Sequence, residues 1–284
     1  MIEIHDLGFG YGSTKHRKPL FQNMNLQLPA GTICGMLGAN GAGKSSLLKL
    51  LAGLSFPQVG SCTVLGYTPA KRLPGFLADI FLLPEEMFLP ALTPVAYASR
   101  YGALYPRFDA ATFTQLLQDF TLPADSLLTT YSYGMKKKFL LAFGIATNAR
   151  LLVMDEPTNG LDIPGKSQFR RALINHFVPE RSFIISTHQV HDLQGLIDSV
   201  MIIADGRILL HETLDALTTR FEVQLESSAP GDALYVEESL EGFRVVRENL
   251  SGLEGNLDLS LLFGLVTSTD PKVRELFGKQ EVSA

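Results

Sequence analysis

The sequence predicts an α/β domain built on a mostly parallel core sheet, interrupted by a helical insertion and followed by a small α+β appendage. Three observations point there. Short unbroken apolar runs bounded by turn residues have the pattern of strands buried on both faces. Apolar stripes at helical spacing lie between them. This rhythm lapses between residues 88 and 150 and changes texture again after Leu210.

In chain order, the strand-like runs are Ile33–Leu37, Ile80–Leu83, Leu151–Met154, Phe183–Ser186 and Val200–Ile203. Leu47, Leu48, Leu51 and Leu54 form one helical stripe, and Met135, Phe139, Leu140 and Phe143 another. The segment of about 88–150 holds helical stretches around Val95–Leu104 and Ala110–Phe120, breaker prolines and no convincing strand. Beyond Arg207–Leu210, the segments Phe221–Leu225, Ala233–Glu237 and Phe243–Arg247 read as strands, with Leu259–Val266 and Val273–Phe277 as short helices. The expected division is 1–215 and 216–284, and no chemistry is legible in the second part.

Composition narrows the function classes. Against 29 Asp+Glu stand 24 Lys+Arg, a net charge of -5, and 46% of residues are hydrophobic, the balance of a folded protein. An acidic chain lacks the basic stripe that phosphate neutralisation needs, so nucleic acid is not the expected partner. Cys34 and Cys62 cannot make a disulfide framework or a structural zinc site, and read as small buried hydrophobes. The N-terminus has no apolar signal-peptide core, and the apolar stretch Phe76–Ala98 is broken by Asp79, Glu85, Glu86 and prolines. The chain is therefore expected to be soluble, in a reducing compartment, with any membrane role supplied by a partner.

The strongest local signal is Gly38-Ala39-Asn40-Gly41-Ala42-Gly43-Lys44-Ser45, a GxxxxGK[ST] loop between a strand and a helix. Its glycines let backbone N–H groups converge on phosphate oxygens, and the helix N-terminus adds partial positive charge at the same place. Lys44 would reach the β- and γ-phosphates and Ser45 would ligate Mg²⁺. Gly38, Asn40, Gly41, Ala42, Gly43, Lys44, Ser45 and Ser46 are the candidate phosphate contacts. Beside such a loop, a buried strand ending in Asp155-Glu156 also acquires a role: Asp155 suits the metal and Glu156 the base that polarises water.

With these motifs in order, the sequence resembles the ATP-binding subunits of ABC transporters over about residues 1–215. Gly38–Ser45 corresponds to Walker A, Tyr131-Ser132-Tyr133-Gly134-Met135 to the signature, and Leu151–Glu156 to Walker B. Asn159–Asp162 matches the D-loop, and Ser186-Thr187-His188 carries the switch histidine. The resemblance implies a P-loop NTPase with an N-terminal antiparallel β part and a helical subdomain. It also implies that Tyr11 stacks on adenine, that His188 contacts the γ-phosphate, and that Asp162 lies at the nucleotide. Ser132 is placed to cap the next helix, and by resemblance Ser132 and Gly134 close on the ATP of a second subunit, head to tail.

Two departures stand out. The common Leu-Ser-Gly-Gly-Gln signature is here Tyr-Ser-Tyr-Gly-Met, keeping Ser132 and Gly134. The Q-loop glutamine falls on Glu85, which can still ligate Mg²⁺ but adds negative charge beside the triphosphate, so altered metal affinity or slower turnover is expected. Lys136-Lys137-Lys138 point in three directions on a helix and read as a solvated face. His5, His16, His176, His191 and His211 read as surface residues.

The expected protein is thus an ATP- and Mg²⁺-dependent hydrolase subunit that dimerises with itself or a related subunit and powers a separate transmembrane permease. It would sit on the cytoplasmic face of the membrane, docked through Glu85 and the helical insertion, and resembles exporters of drugs, ions or peptides. Two alternatives are weighed: a soluble ATPase of the same superfamily acting on DNA or ribosomes, which typically carries a coiled coil or two cassettes, and a regulatory module that binds ATP without hydrolysis.

Overall fold

The computed structural model describes residues 1–12, 18–250, 255–270, 273, 276 and 277. In chain order the elements are β1 (Ile2–Tyr11), β2 (Lys18–Leu28), β3 (Ile33–Leu37), α1 (Lys44–Leu51), β4 (Val59–Val64), α2 (Pro74–Asp79), β5 (Ile80–Leu83), α3 (Pro94–Tyr101), α4 (Ala110–Asp119) and α5 (Tyr133–Ala146). They continue with β6 (Leu151–Asp155), α6 (Ile163–His176), β7 (Ser182–Thr187), β8 (Ser199–Ala204), β9 (Arg207–Thr213), α7 (Leu214–Arg220), β10 (Phe221–Glu226), β11 (Tyr235–Ser239), β12 (Gly242–Glu248) and α8 (Leu259–Val266).

The apolar runs build a six-stranded sheet in the order β5-β6-β7-β3-β8-β9. It is parallel throughout except for β9, which returns antiparallel beside β8. Why those runs are unbroken is visible in their two-residue period. Leu152 and Met154, Phe183 and Ile185, and Val200 and Ile202 face one apolar cluster. Leu151 and Val153, Ile184, and Met201 and Ile203 face the other. Both faces are dry, so neither set can be polar.

The second cluster lies under α1 and a three-stranded antiparallel sheet, β2-β1-β4. Ile2 and Ile4 of β1 point into it while Glu3 and His5 face solvent. The first cluster runs into the helical insertion, where Phe139 and Phe143 of α5 meet Tyr97, Phe108 and Phe113 at ring separations of 5.0–6.1 Å. Thr93, Asp109 and Ser132 cap α3, α4 and α5, each accepting from a backbone N–H of the first turn. At the other end of α5, Arg181 donates to the carbonyls of Ile145 and Ala149. With a further bond to the His176 carbonyl at 3.3 Å, these contacts pair the guanidinium, which is why it is tolerated in the core.

The C-terminal segment forms the sheet β10-β12-β11 with α8 against it. Its Phe221, Val246, Leu261, Leu262 and Leu265 are buried in the same apolar cluster as the core sheet. Leu193, just beyond the β7 edge, is buried among them.

Three expectations need correction. Leu54 is 53% exposed, because α1 ends at Leu51 and Gly53 (φ 68°) turns the chain away; Leu50 takes the place in the core. His211 is not a surface residue but half-buried, and burial pulls its pKa down. His176 is likewise half-buried, its Nδ1 2.9 Å from the Ala172 carbonyl. His16, and most of the expected helix at Val273–Phe277, lie outside the described residues. Both cysteines are buried, as expected, and burial pushes each thiol up to about 12.

Candidate active site

The site forms where the C-terminal ends of three parallel strands meet the start of α1, the crevice in which open α/β sheets bind ligands. Strand β3 delivers the glycine loop, β6 delivers Asp155 and Glu156, and β7 delivers Ser186, Thr187 and then His188. Between β3 and α1 the loop needs conformations that only glycine reaches without strain: Gly41 has φ 82° and Gly43 φ 104°. At Gly43 a Cβ would sit 2.6 Å from the Phe21 ring.

The result is a cleft of about 700 Å³ lined by Tyr11, Leu20, Ala39, Asn40, Gly41, Gly43, Lys44, Ser45, Ser46, Glu85, Glu156, Asn159 and His188. Lys44 is buried, and its ammonium donates to the carbonyls of Gly38 at 2.7 Å and Ala39 at 3.3 Å, 3.6 Å from Oε1 of Glu156. Nδ1 of His188 lies 2.9 Å from the same oxygen. The carboxylate can only accept, so Nδ1 carries the proton. The second carboxylate oxygen, Oε2, is buried with no partner in the structure. A buried charged acceptor left open beside a lined cleft is a place for a ligand or a polarised water.

Glu156 is itself unusual in backbone, with φ 45°, the left-handed region that non-glycine residues avoid. Its N–H donates to the Ser186 carbonyl at 3.1 Å and to Ser186 Oγ at 3.2 Å. Ser186 Oγ in turn donates to Asp155 Oδ1 at 2.5 Å. Asp155 is buried behind this serine and does not line the cleft wall. Tyr11 is 53% exposed, its hydroxyl 2.9 Å from Ser46 Oγ, with its ring edge-on to Phe9. An aromatic face at the mouth of a polar cleft suits a planar base.

The structure therefore gathers Tyr11, Asn40, Gly41, Gly43, Lys44, Ser45, Ser46, Glu85, Glu156 and His188 around one cleft. Gly38 and Ala42 shape the loop without lining the wall. Ser132, Gly134 and Asp162 stay outside it. Ser132 caps α5 by accepting from Met135 N–H, and Asp162 caps α6 by accepting from Gly165 N–H at 2.9 Å.

The lysine run is a correction. Lys137 is not on a solvated face: it is 1% exposed, its ammonium donates to the Glu156 carbonyl, and it sits 5.2 Å from the Tyr133 ring centroid. Burial pulls its pKa down to about 8, against the opposing pull of Glu85, Glu156 and Asp155. Lys138 donates to Gln168 Oε1 at 2.8 Å.

Comparison with known proteins agrees with this architecture. A family profile described as ABC transporter matches residues 21–159. The chain is 30% identical over 246 residues to a fluoroquinolones export ATP-binding protein of Mycobacterium tuberculosis, covering 84% of this chain and 80% of that one. The chain belongs to the ATP-binding proteins of the ABC transporter family. A larger relative, ABC transporter A family member 8 of Dictyostelium discoideum, is 24% identical over 272 residues; the match takes in 90% of this chain and 31% of that one. A solved ATP-binding subunit of an ABC transporter superposes with a TM-score of 0.69 at 25% identity, covering 76% of this chain and 91% of that one.

Within this ABC fold, sequence reading missed four residues that shape the site. Leu20 and Asn159 line the cleft, Ser186 joins Asp155 to the Glu156 backbone, and Lys137 holds the Glu156 carbonyl. Ser186 had a signal, being a polar residue at the end of an apolar strand. Lys137 had none, because a lysine within a triple-lysine run reads as solvated. Among the described residues, no group of three or more His, Cys, Asp or Glu side chains forms a metal cage. A metal here would need hydroxyl and phosphate oxygens as well, consistent with the few protein ligands typical of Mg²⁺.

Proposed function

We propose that this chain binds and hydrolyses ATP with Mg²⁺ and, as one of two ATP-binding subunits, drives a separate transmembrane permease. The observation that carries the reading is the cleft itself, with the Glu156 carboxylate held by Lys44 and His188 on one oxygen and its other oxygen buried without a partner. Lys44, the loop N–H groups and the start of α1 would hold the phosphates, and Tyr11 the base. Ser45 and Glu85, which line the cleft, would hold Mg²⁺ directly and Asp155 through water; the ion when bound neutralises phosphate charge. Glu156 would accept a proton from the attacking water, and His188 would keep its carboxylate oriented through the Nδ1–Oε1 hydrogen bond.

The signature residues support dimerisation. Ser132 and Gly134 lie at the α5 N-terminus, outside this chain's own cleft, so they are free to meet nucleotide held by a second subunit, identical or related. For the permease, the docking surface would run from Glu85 across the helical insertion. There Phe88 is 95% exposed, and Val95, Ala98, Phe113 and Leu117 line a largely apolar groove of about 670 Å³. Among the described residues no helix is long and apolar enough to cross a membrane. Such a subunit works on the cytoplasmic face, and the transported molecule is recognised by the permease; export is the direction named for the mycobacterial relative.

The test is Glu156→Gln. ATPase is expected to disappear while ATP-dependent dimers accumulate on size exclusion. Retained turnover would remove Glu156 as the base; absence of ATP binding by the parent chain would remove the whole reading.

A further inference from the structure

We propose that Lys137 is a positioning residue for Glu156, its buried ammonium holding the Glu156 peptide in the turned conformation that aims the carboxylate into the cleft. The inference rests on the reading of Glu156 as the base. A left-handed backbone at a non-glycine residue persists only where its surroundings over-determine it. Here the peptide groups are gripped on two sides. The Glu156 N–H is held by Ser186 of β7, and the Glu156 carbonyl accepts from Lys137 of α5 and from Asn159 N–H at 3.2 Å.

Lys137 is built into place rather than left there. Tyr133 lies four residues earlier on α5, so the lysine stem crosses its ring and the ammonium meets the π face. The Tyr133 hydroxyl donates to the Glu85 carbonyl at 2.9 Å. Its ring also packs on Gly160, where a Cβ would come within 2.6 Å. The acceptor of the lysine is a peptide oxygen and not a carboxylate, so the contact fixes backbone geometry instead of merely pairing charge. A buried ammonium is costly to desolvate, and simple packing would be served as well by an apolar side chain of the same length. Through Tyr133 the same device ties the start of α5 to the loops carrying Glu85 and Gly160.

The experiment measures steady-state ATPase and nucleotide affinity of the full chain as Lys137→Met and Lys137→Arg. Lys137→Met keeps the stem and removes the charge; kcat is expected to fall at least tenfold while KM and ATP affinity stay within twofold. Lys137→Arg, which still donates to the carbonyl, is expected to recover most of kcat. In a Glu156→Gln background, where turnover is absent, the Met substitution is expected to leave ATP affinity within twofold. Unchanged kcat in Lys137→Met, equal losses in Met and Arg, or ATP affinity weakened more than twofold in the Glu156→Gln background would each overturn the proposal. Should Lys137→Met fail to fold, Lys137→Leu, which likewise has no donor, replaces it under the same criteria. A parent chain with no ATPase overturns the hydrolase reading and this inference together, whereas a hydrolysing parent with an unaffected Lys137→Met overturns this inference alone.

Discussion

Replacing Ser186 with alanine removes one hydroxyl that serves two site residues at once. Its Oγ donates to Asp155 Oδ1 at 2.5 Å and accepts from the Glu156 N–H at 3.2 Å, and the residue is fully buried. The Glu156 N–H keeps the Ser186 carbonyl at 3.1 Å, so its loss is small. Asp155 is different: it is 5% exposed, and its Oδ1 loses a charge-assisted bond with no solvent to replace it. A hydrogen bond to a charged group contributes about 1.5–3 kcal/mol, and the cavity left by a single oxygen adds little, so the expected loss is about 2–3 kcal/mol. For a chain of this size that lowers the melting temperature by roughly 4–12 °C. The assay is urea and thermal unfolding of nucleotide-free protein, read as a midpoint shift at constant m-value. A change below about 0.5 kcal/mol would refute the reasoning, because the bond would then contribute no more than an exposed one.

Three further outcomes follow from the geometry. Gly43→Ala places a Cβ 2.6 Å from the Phe21 ring at φ 104°, so a stability loss on the order of 1–3 kcal/mol and weakened ATP binding are expected in calorimetry. Glu85→Gln removes a carboxylate from the cleft lining, and the Mg²⁺ concentration for half-maximal ATPase is expected to shift by about three- to tenfold; a titration superimposable on the parent's would exclude a metal role for Glu85. Lys137 has a folded pKa of about 8 against 10.5 unfolded, so between those values the unfolded chain binds more protons and stability rises with pH. Relative to Lys137→Met, the parent is therefore expected to gain at most about 3 kcal/mol from pH 8 to 10.5 in urea melts; a pH-independent difference would place the lysine in water.

Much of the site was legible because its signals are contiguous. The glycine loop, the Asp155-Glu156 strand end and His188 each declare themselves within a few residues, and the cleft contains Lys44, Ser45, Glu156 and His188 together. The Tyr-Ser-Tyr-Gly-Met departure was legible as a departure but not in its consequence. Nothing local to Tyr133 tells that its hydroxyl reaches the Glu85 carbonyl, 48 positions earlier.

The sequence by itself determined the five parallel strands of the core sheet and the identity of the phosphate loop. Burial on both faces demands unbroken apolar runs, and a loop that wraps phosphate demands glycine at fixed spacing; both are written in neighbouring positions. The tertiary structure alone decided which polar groups meet. Lys137 and Glu156 are 19 positions apart, and Ser186 and Asp155 are 31. Their partners are chosen by how α5 packs on the sheet and how β7 lies beside β6, and no local period records that choice. The same packing drew the C-terminal strands and α8 onto the main apolar core, where Phe221, Val246, Leu261 and Leu265 are buried away from water.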